Sequence, residues 1–136
     1  MTEPGAEVLS VVVEREVAHP PEKIWRALTE PHLIEEWLMK NDFVPEVAHR
    51  FQFRADWGSV DCQVVAIDPD KKLAYTWAAY GLESVVTWTL TPTSTGTHLR
   101  MEQSGFRPDQ RQAHQGAQHG WSRFLAALEQ LLGRVD

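Results

Sequence analysis

The spacing of apolar residues changes along the chain and divides it into segments. Residues 8–17 begin with a β-branched run and continue with alternating apolar and polar positions, a pattern that predicts a β-strand. Residues 20–30 open with two prolines and carry apolar side chains at helical spacing, and a second such segment begins at Pro31. Both segments predict helices too short to be stable unless they pack against the rest of the protein.

From residue 49 onward apolar residues recur at every second position, as in strands with one buried face. Five such stretches are separated by turn-forming sequences, and they lie at 50–54, 61–67, 73–77, 84–90 and 98–103. Helical spacing returns from about 109 to 132, and Gly133 fits a helix end. The predicted order is β-α-α-β-β-β-β-β-α, an α+β fold with an antiparallel meander.

Two glycines interrupt the predicted last helix. Gly116 and Gly120 each destabilise a helix interior by about 1 kcal/mol relative to alanine. Their spacing is that of a membrane-helix pairing motif, but the neighbouring residues are rich in Gln and His. We therefore expect a close approach of this helix to the sheet, or a bend in it.

Length and charge narrow the class of protein. The 136 residues fit a single domain, which we place at 1–136 with an ordered core of about 8–134. The net charge of −6 argues against a nucleic-acid partner, and no apolar run is long enough for membrane insertion. A single cysteine, Cys62, and the lack of a signal-peptide pattern indicate a cytoplasmic protein. Both a monomer and a homodimer are compatible with the sequence.

Candidate catalytic and metal-binding patterns are scarce. The sequence contains no nucleophile elbow, phosphate-binding loop or paired-cysteine motif. His114 and His119 are five residues apart on the predicted helix and point in different directions, so they are poorly placed to share a metal. Asp68 and Asp70 fit a turn. We therefore expect no catalytic residue, no metal and no cofactor.

Aromatic residues are the most informative feature of the composition. Six tryptophans are spread over the chain, and they either build an aromatic core or line a cavity. The inward parity of the meander, the second helix and the last helix together supply the predicted ligand-binding residues: Trp37, Phe51, Phe53, Tyr75, Trp77, Ser84, Val86, Trp88, Met101, Gln103, Phe106, Trp121 and Leu125. The alternative is a filled core in which the few polar groups bond to one another.

Two of these residues carry specific expectations. Trp121 begins the apolar face of the last helix and should point at the sheet. Gln103 shares strand parity with Leu99 and Met101, so its amide should face inward and bond to Tyr75, Ser84, backbone, water or a ligand. A Gln near the end of a strand that reaches solvent instead is the alternative.

Five stretches of the sequence, taken in order, resemble a known family. The chain is similar to the helix-grip, START/Bet v1-like (SRPBCC) domains, and most similar to their AHSA1-like branch (activator of Hsp90 ATPase homologue-like). The matching stretches lie at 20–38, 66–77, 84–92, 96–106 and 119–132. The chain departs from the family pattern at Ala48-His49, Cys62 and Ala66, where relatives often carry glycines and a glutamate. Ala66 therefore puts in doubt any role that rests on that carboxylate.

The resemblance implies a curved antiparallel sheet wrapped around a long C-terminal helix, with a cavity between them. It does not imply a reaction, since relatives include carriers, receptors and enzymes. Our leading hypothesis is a small-molecule binding module for a hydrophobic ligand, aromatic or lipid-like, rather than an enzyme. The alternatives are a cyclase- or hydrolase-like enzyme using the same cavity, and a protein-interaction or stress-related adaptor.

Overall fold

A computed structural model describes residues 9–135 and shows seven strands and three helices in that range. In chain order the elements are β1 (Leu9–Val17), α1 (Pro21–Thr29), α2 (Pro31–Trp37), β2 (Lys40–Asn41), β3 (Arg50–Ala55), β4 (Gly58–Asp68), β5 (Lys72–Ala79), β6 (Leu82–Pro92), β7 (Thr97–Phe106) and α3 (Arg111–Leu132). The predicted α+β order is confirmed. The two-residue β2, which pairs with β3, is the only strand in 9–135 that the alternation did not predict.

The strands form one antiparallel sheet in the order β1-β7-β6-β5-β4-β3-β2. Strands β3 to β7 are a meander of neighbouring hairpins, whereas β1 pairs with β7, the last strand. Helices α1 and α2 therefore connect the two opposite edges of the sheet. Each of the two helices has proline in its first turn, where the N–H that proline lacks has no partner within the helix.

Helix α3 packs its apolar face against the inward face of the sheet. Leu125, Leu128 and Leu132 are fully buried there, and each contributes roughly 1.5–3 kcal/mol of hydrophobic stabilisation. An ion pair between Arg15 on β1 and Glu129, with N and O 3.3 Å apart, joins the same two elements. This is the helix-grip arrangement that the family resemblance implied. Within residues 9–135, no helix is both long and apolar enough to cross a lipid bilayer.

The inward parity of the meander also follows the prediction, with one local change in β4. The register between β4 and β5 shifts between Val64 and Ala66, which marks a β-bulge. Val65 is 50% exposed, and after it Ile67 packs against the core, although it continues the outward parity of Val65. An inserted residue inverts the alternation locally, so parity read from the sequence does not carry past it.

The outer face of the β1–β7 pair carries a cluster of charges around His98. Its two ring nitrogens lie 2.9 Å from a carboxylate oxygen of Glu14 and 2.6 Å from one of Glu16. Hydrogen bonds that the imidazole donates to Glu14 and to Glu16 raise the pKa of His98 above its ordinary value of 6.5. The imidazole can donate to both carboxylates at once only in its charged form.

We predict that this cluster makes stability depend on pH. Because the folded-state pKa of His98 is raised, its stabilising contribution is fully present below about pH 6.5 and is lost as the pH rises through the raised value. The melting temperature of the wild type should therefore exceed that of His98→Gln most at pH 5.5, and the difference should shrink towards pH 9. A difference that stays constant over this range would contradict the prediction.

Candidate functional site

The centre of the interior is filled by aromatic rings in edge-to-face contact. The Trp37 and Trp88 rings lie 5.6 Å apart at 90°, and the Phe51 and Tyr75 rings lie 5.5 Å apart at 78°. Their polar atoms are satisfied inside the protein: the Trp37 indole donates to the Ala27 carbonyl at 2.8 Å, and the Trp88 indole donates to the Tyr75 hydroxyl at 3.0 Å. This part of the predicted cavity is therefore packed core.

Open space remains at one end of the molecule, where a cleft of about 740 Å³ lies between the first half of α3 and the ends of the central strands. Trp77, Gln103, Trp121 and Phe124 contribute to its lining from the sheet and from α3. The remaining lining residues come from the hairpin tips, the adjacent strand ends, the two residues before α3 and the first half of α3: Trp57, Val60, Ala79, Tyr80, Leu82, Asp109, Gln110, Arg111, Gln112, Ala113, Gly116, Ala117 and Gly120.

Two exposed aromatic residues stand at the tips of neighbouring hairpins in this cleft. Trp57, in the turn between β3 and β4, is 54% exposed, and Tyr80, in the turn between β5 and β6, is 80% exposed. The Tyr80 hydroxyl donates to the Trp57 carbonyl at 2.7 Å, and the two rings lie 6.0 Å apart. Tyr80 and Gly81 both have a positive φ, as a two-residue hairpin turn of the primed type requires. The Gln110 amide donates to the Gly81 carbonyl at 3.3 Å and joins this tip to the start of α3.

The helical side of the cleft is made of small residues. Ala113, Gly116, Ala117 and Gly120 follow the i, i+3, i+4, i+7 spacing of one helix face. No atom lies within 4 Å of the position that a Cβ would take at Gly116 or at Gly120, apart from the helix's own backbone and chain neighbours. The expectation that these glycines allow a close approach of helix to sheet is therefore wrong, because they face open space. The alternative expectation, a bend in the helix, stays a prediction.

A chain of hydrogen bonds separates the cleft from the core. The Trp121 indole donates to Gln103 Oε1 at 2.7 Å, Gln103 Nε2 donates to Ser84 Oγ at 2.9 Å, and Ser84 donates to the Trp77 carbonyl at 2.9 Å. An indole N–H can only donate, so the atom facing it must be the amide oxygen, and this fixes the orientation of the Gln103 side chain. One of the two amide hydrogens of Gln103 takes part in neither bond.

The predicted site residues divide between the cleft and the core. Trp77, Gln103 and Trp121 line the cleft, and Gln103, which is 2% exposed, faces inward as expected. The other ten lie outside the cleft lining in the interior: Trp37, Phe51, Phe53, Tyr75, Ser84, Val86, Trp88, Met101, Phe106 and Leu125. A ligand contact at those positions stays a prediction.

Sequence reasoning missed the hairpin tips and the small helix face. Trp57 lies in a turn, where a large indole has no core position to fill, and this context could have marked it as an exposed binding residue. The small residues from 113 to 120 share a face that continues into Trp121 and Phe124, which could have indicated a gap beside the helix. Tyr80 carried no sequence feature that separates it from an ordinary turn residue.

Ionisable groups with altered pKa values lie away from the cleft lining. Burial raises the pKa of the Tyr75 phenol and that of the Cys62 thiol far above their ordinary values, so both are protonated at neutral pH. The titratable side chains among the lining residues are Asp109, Arg111 and Tyr80, all of them exposed. Asp109 also pairs with Arg107, with N and O 3.2 Å apart. Within residues 9–135, no three His, Cys, Asp or Glu side chains are grouped as metal ligands would be.

Residues 18–133, most of the chain, match the sequence profile of the family described as Activator of Hsp90 ATPase homolog 1-like protein. The chain belongs to this family. The resemblance stated from the sequence is therefore confirmed. No curated protein sequence matches the chain.

Solved structures of related proteins share the fold of this chain. Protein MLL2253 from Mesorhizobium loti is 65% identical over 94% of this chain and 99% of its own, with a TM-score of 0.91. Protein BH1534 from Bacillus halodurans is 25% identical over 91% of this chain and 96% of its own, with a TM-score of 0.82. DynU16, a protein of the dynemicin biosynthetic locus, is 24% identical with a TM-score of 0.83, and the match covers 91% of this chain and 47% of DynU16. At that identity DynU16 supports the fold alone.

The bond between Trp121 and Gln103 can be tested by a double-mutant cycle. Gln103→Leu leaves the buried indole N–H without its acceptor, and Trp121→Phe removes the donor, so each should lower the free energy of unfolding by about 1–3 kcal/mol. The double variant should lose less than the sum, with a coupling of about 0.5–3 kcal/mol in urea titrations. Gln103→Leu combined with Trp25→Phe is the control and should be additive. An additive result for the Trp121 pair would contradict the assigned bond.

Proposed function

We propose that the protein binds an apolar aromatic small molecule in the cleft between α3 and the ends of the central strands. The observation that carries the proposal is a cleft of about 740 Å³ that combines three indole rings with one buried amide. Sites for small ligands usually measure about 300–1,000 Å³ and pair an apolar lining with a few placed polar groups. Membership in a family with a ligand-binding fold is consistent with this function.

The rings at the cleft support an aromatic ligand over an aliphatic one. Trp77 and Trp121, with centroids 5.2 Å apart, and the exposed ring of Trp57 give a ligand several aromatic faces and edges to contact. Aromatic pairs gain about 0.5–1.5 kcal/mol beyond the burial of their area. A bound ligand would also remove from water part of the surface that Trp57 and Tyr80 expose.

Gln103 is the polar contact that we assign to the site. Its oxygen is held by Trp121, and one amide hydrogen is held by Ser84, which leaves a second amide hydrogen for an acceptor oxygen on a ligand. The proposed ligand is therefore an aromatic compound with a carbonyl or hydroxyl group on its inner end.

A binding function has more support than catalysis. Tyr75, the acid–base candidate from the sequence, is buried outside the cleft lining, and burial keeps its phenol protonated. Asp109, the carboxylate in the cleft lining, is exposed and paired with Arg107. Tyr75 therefore lacks the substrate-facing position that general acid–base catalysis requires, and the Asp109 carboxylate is already bonded to the Arg107 guanidinium.

The function can be tested by native mass spectrometry and by ligand titration. Freshly purified protein should carry a co-purifying small molecule, and added 2-naphthol should change the tryptophan emission to saturation. Trp57→Ala should weaken 2-naphthol binding about 2- to 10-fold, because it removes an aromatic contact, with little change in melting temperature. Its hydrogen bond to Tyr80 uses the backbone carbonyl and is retained.

The matched control is Val65→Ala, which removes an exposed apolar side chain outside the cleft lining and should leave the dissociation constant unchanged. Equal weakening by both substitutions would place the binding elsewhere. The absence of both a co-purifying molecule and a saturable emission change with 2-naphthol would refute the proposed function.

A further inference from the structure

Gly116 and Gly120 lie inside a helix of 22 residues, where glycine is less stable than alanine. Neither has the left-handed φ that favours glycine, unlike Gly58, Gly81 and Gly105. No neighbouring atom outside the local helix lies within 4 Å of the position that a Cβ would occupy at either residue. Backbone conformation and packing of the described chain therefore do not require glycine at these positions.

The two glycines have in common that they border the cleft. Both belong to its lining, and Ala113 and Ala117 complete the same face of α3. Towards the core, the next large residue of that face is Trp121, which is buried at the inner end of the cleft. The four small residues thus occupy the part of this face that borders open space.

We infer that Gly116 and Gly120 determine which ligands the cleft admits, by leaving room for a multi-ring aromatic body to rest directly on the backbone of α3. Glycine is suited to such a contact, because a Cβ would hold the ligand away from the backbone. The cleft volume of about 740 Å³ is far larger than a single ring needs. This inference rests on the proposed function and adds to it a ligand class and two specificity-determining residues.

The inference predicts opposite effects on stability and on binding. Gly116→Ala and Gly120→Ala should each raise the melting temperature by about 3–5 °C, because alanine favours the helix and nothing obstructs its methyl group. The same substitutions should weaken binding of a large ligand, because each methyl group projects into the cleft. A residue that served only the fold would not produce this combination.

The experiment compares two probes of different size on the full chain. 1-Pyrenebutyrate, with four fused rings, and indole, with two, are titrated against the wild type and the Gly116→Ala/Gly120→Ala double variant while tryptophan emission is followed. The dissociation constant for 1-pyrenebutyrate should rise at least tenfold in the double variant, and that for indole should change less than twofold.

Two control variants distinguish an effect on ligand binding in the cleft from an effect on protein stability. Ala126→Gly, at an exposed position of α3 outside the cleft lining, should lower the melting temperature and leave both dissociation constants unchanged. Gly96→Ala should also lower the melting temperature, because its Cβ would collide with the backbone of Val17 and His19. The expected change in melting temperature is thus negative for Gly96→Ala and positive for alanine at Gly116 or Gly120, because backbone atoms lie next to Gly96 alone among these three glycines.

Four results would overturn the inference. Wild-type affinity for 1-pyrenebutyrate in the double variant would do so while leaving the proposed function intact. A lower melting temperature in the single alanine variants would show that the glycines serve the fold. A change from dimer to monomer on substitution, measured by light scattering, would show that this helix face is an interface between copies of the chain. A wild type that binds neither probe, does not bind 2-naphthol and carries no co-purifying molecule would refute both the inference and the proposed function.

Discussion

The hydrogen bond between the Trp121 indole and the Gln103 amide holds the boundary between the packed interior and the cleft. It joins α3 to β7 in a buried environment, where an unsatisfied donor or acceptor is costly. The Trp121 ring also contacts Trp77 and Trp88, one beside the cleft and one in the core. Because the indole can only donate, it sets the orientation of the amide and directs Nε2 to Ser84. In this arrangement the second amide hydrogen of Gln103 takes part in neither bond.

One face of α3 serves two purposes along its length. Its second half carries large residues that close the core, including Trp121, Leu125 and Leu128. Its first half carries small residues that leave the cleft open, and Gly116 and Gly120 do so at a cost in helix stability of about 1 kcal/mol each. The protein thus gives up some stability at the residues that border the proposed ligand. Similar compromises are expected at binding sites, where local preference and the global fold disagree.

The aromatic residues predicted to line a cavity show why composition alone does not locate one. Rings such as Phe51 and Tyr75 face inward as their parity requires, but they meet edge-to-face and fill the space between them. Towards the hairpin tips there is too little side-chain volume to continue this packing. The exposed rings of Trp57 and Tyr80 lie there, in turns that alternation does not describe. The inward direction of a residue is a local property, whereas the volume left around it depends on all of its neighbours.

The sequence by itself determined the order of the elements other than β2, and the buried face of each long strand up to the bulge in β4, because hydrophobic periodicity follows directly from the geometry of helices and strands. It also determined that Gln103 and Trp121 face inward, and the family to which the chain belongs. The tertiary structure alone decided that these two side chains bond to each other, that β4 carries a bulge after Val64, and that Gly116 and Gly120 face open space. These features depend on distances between segments remote in the chain, and residue spacing along one segment carries no information about such distances.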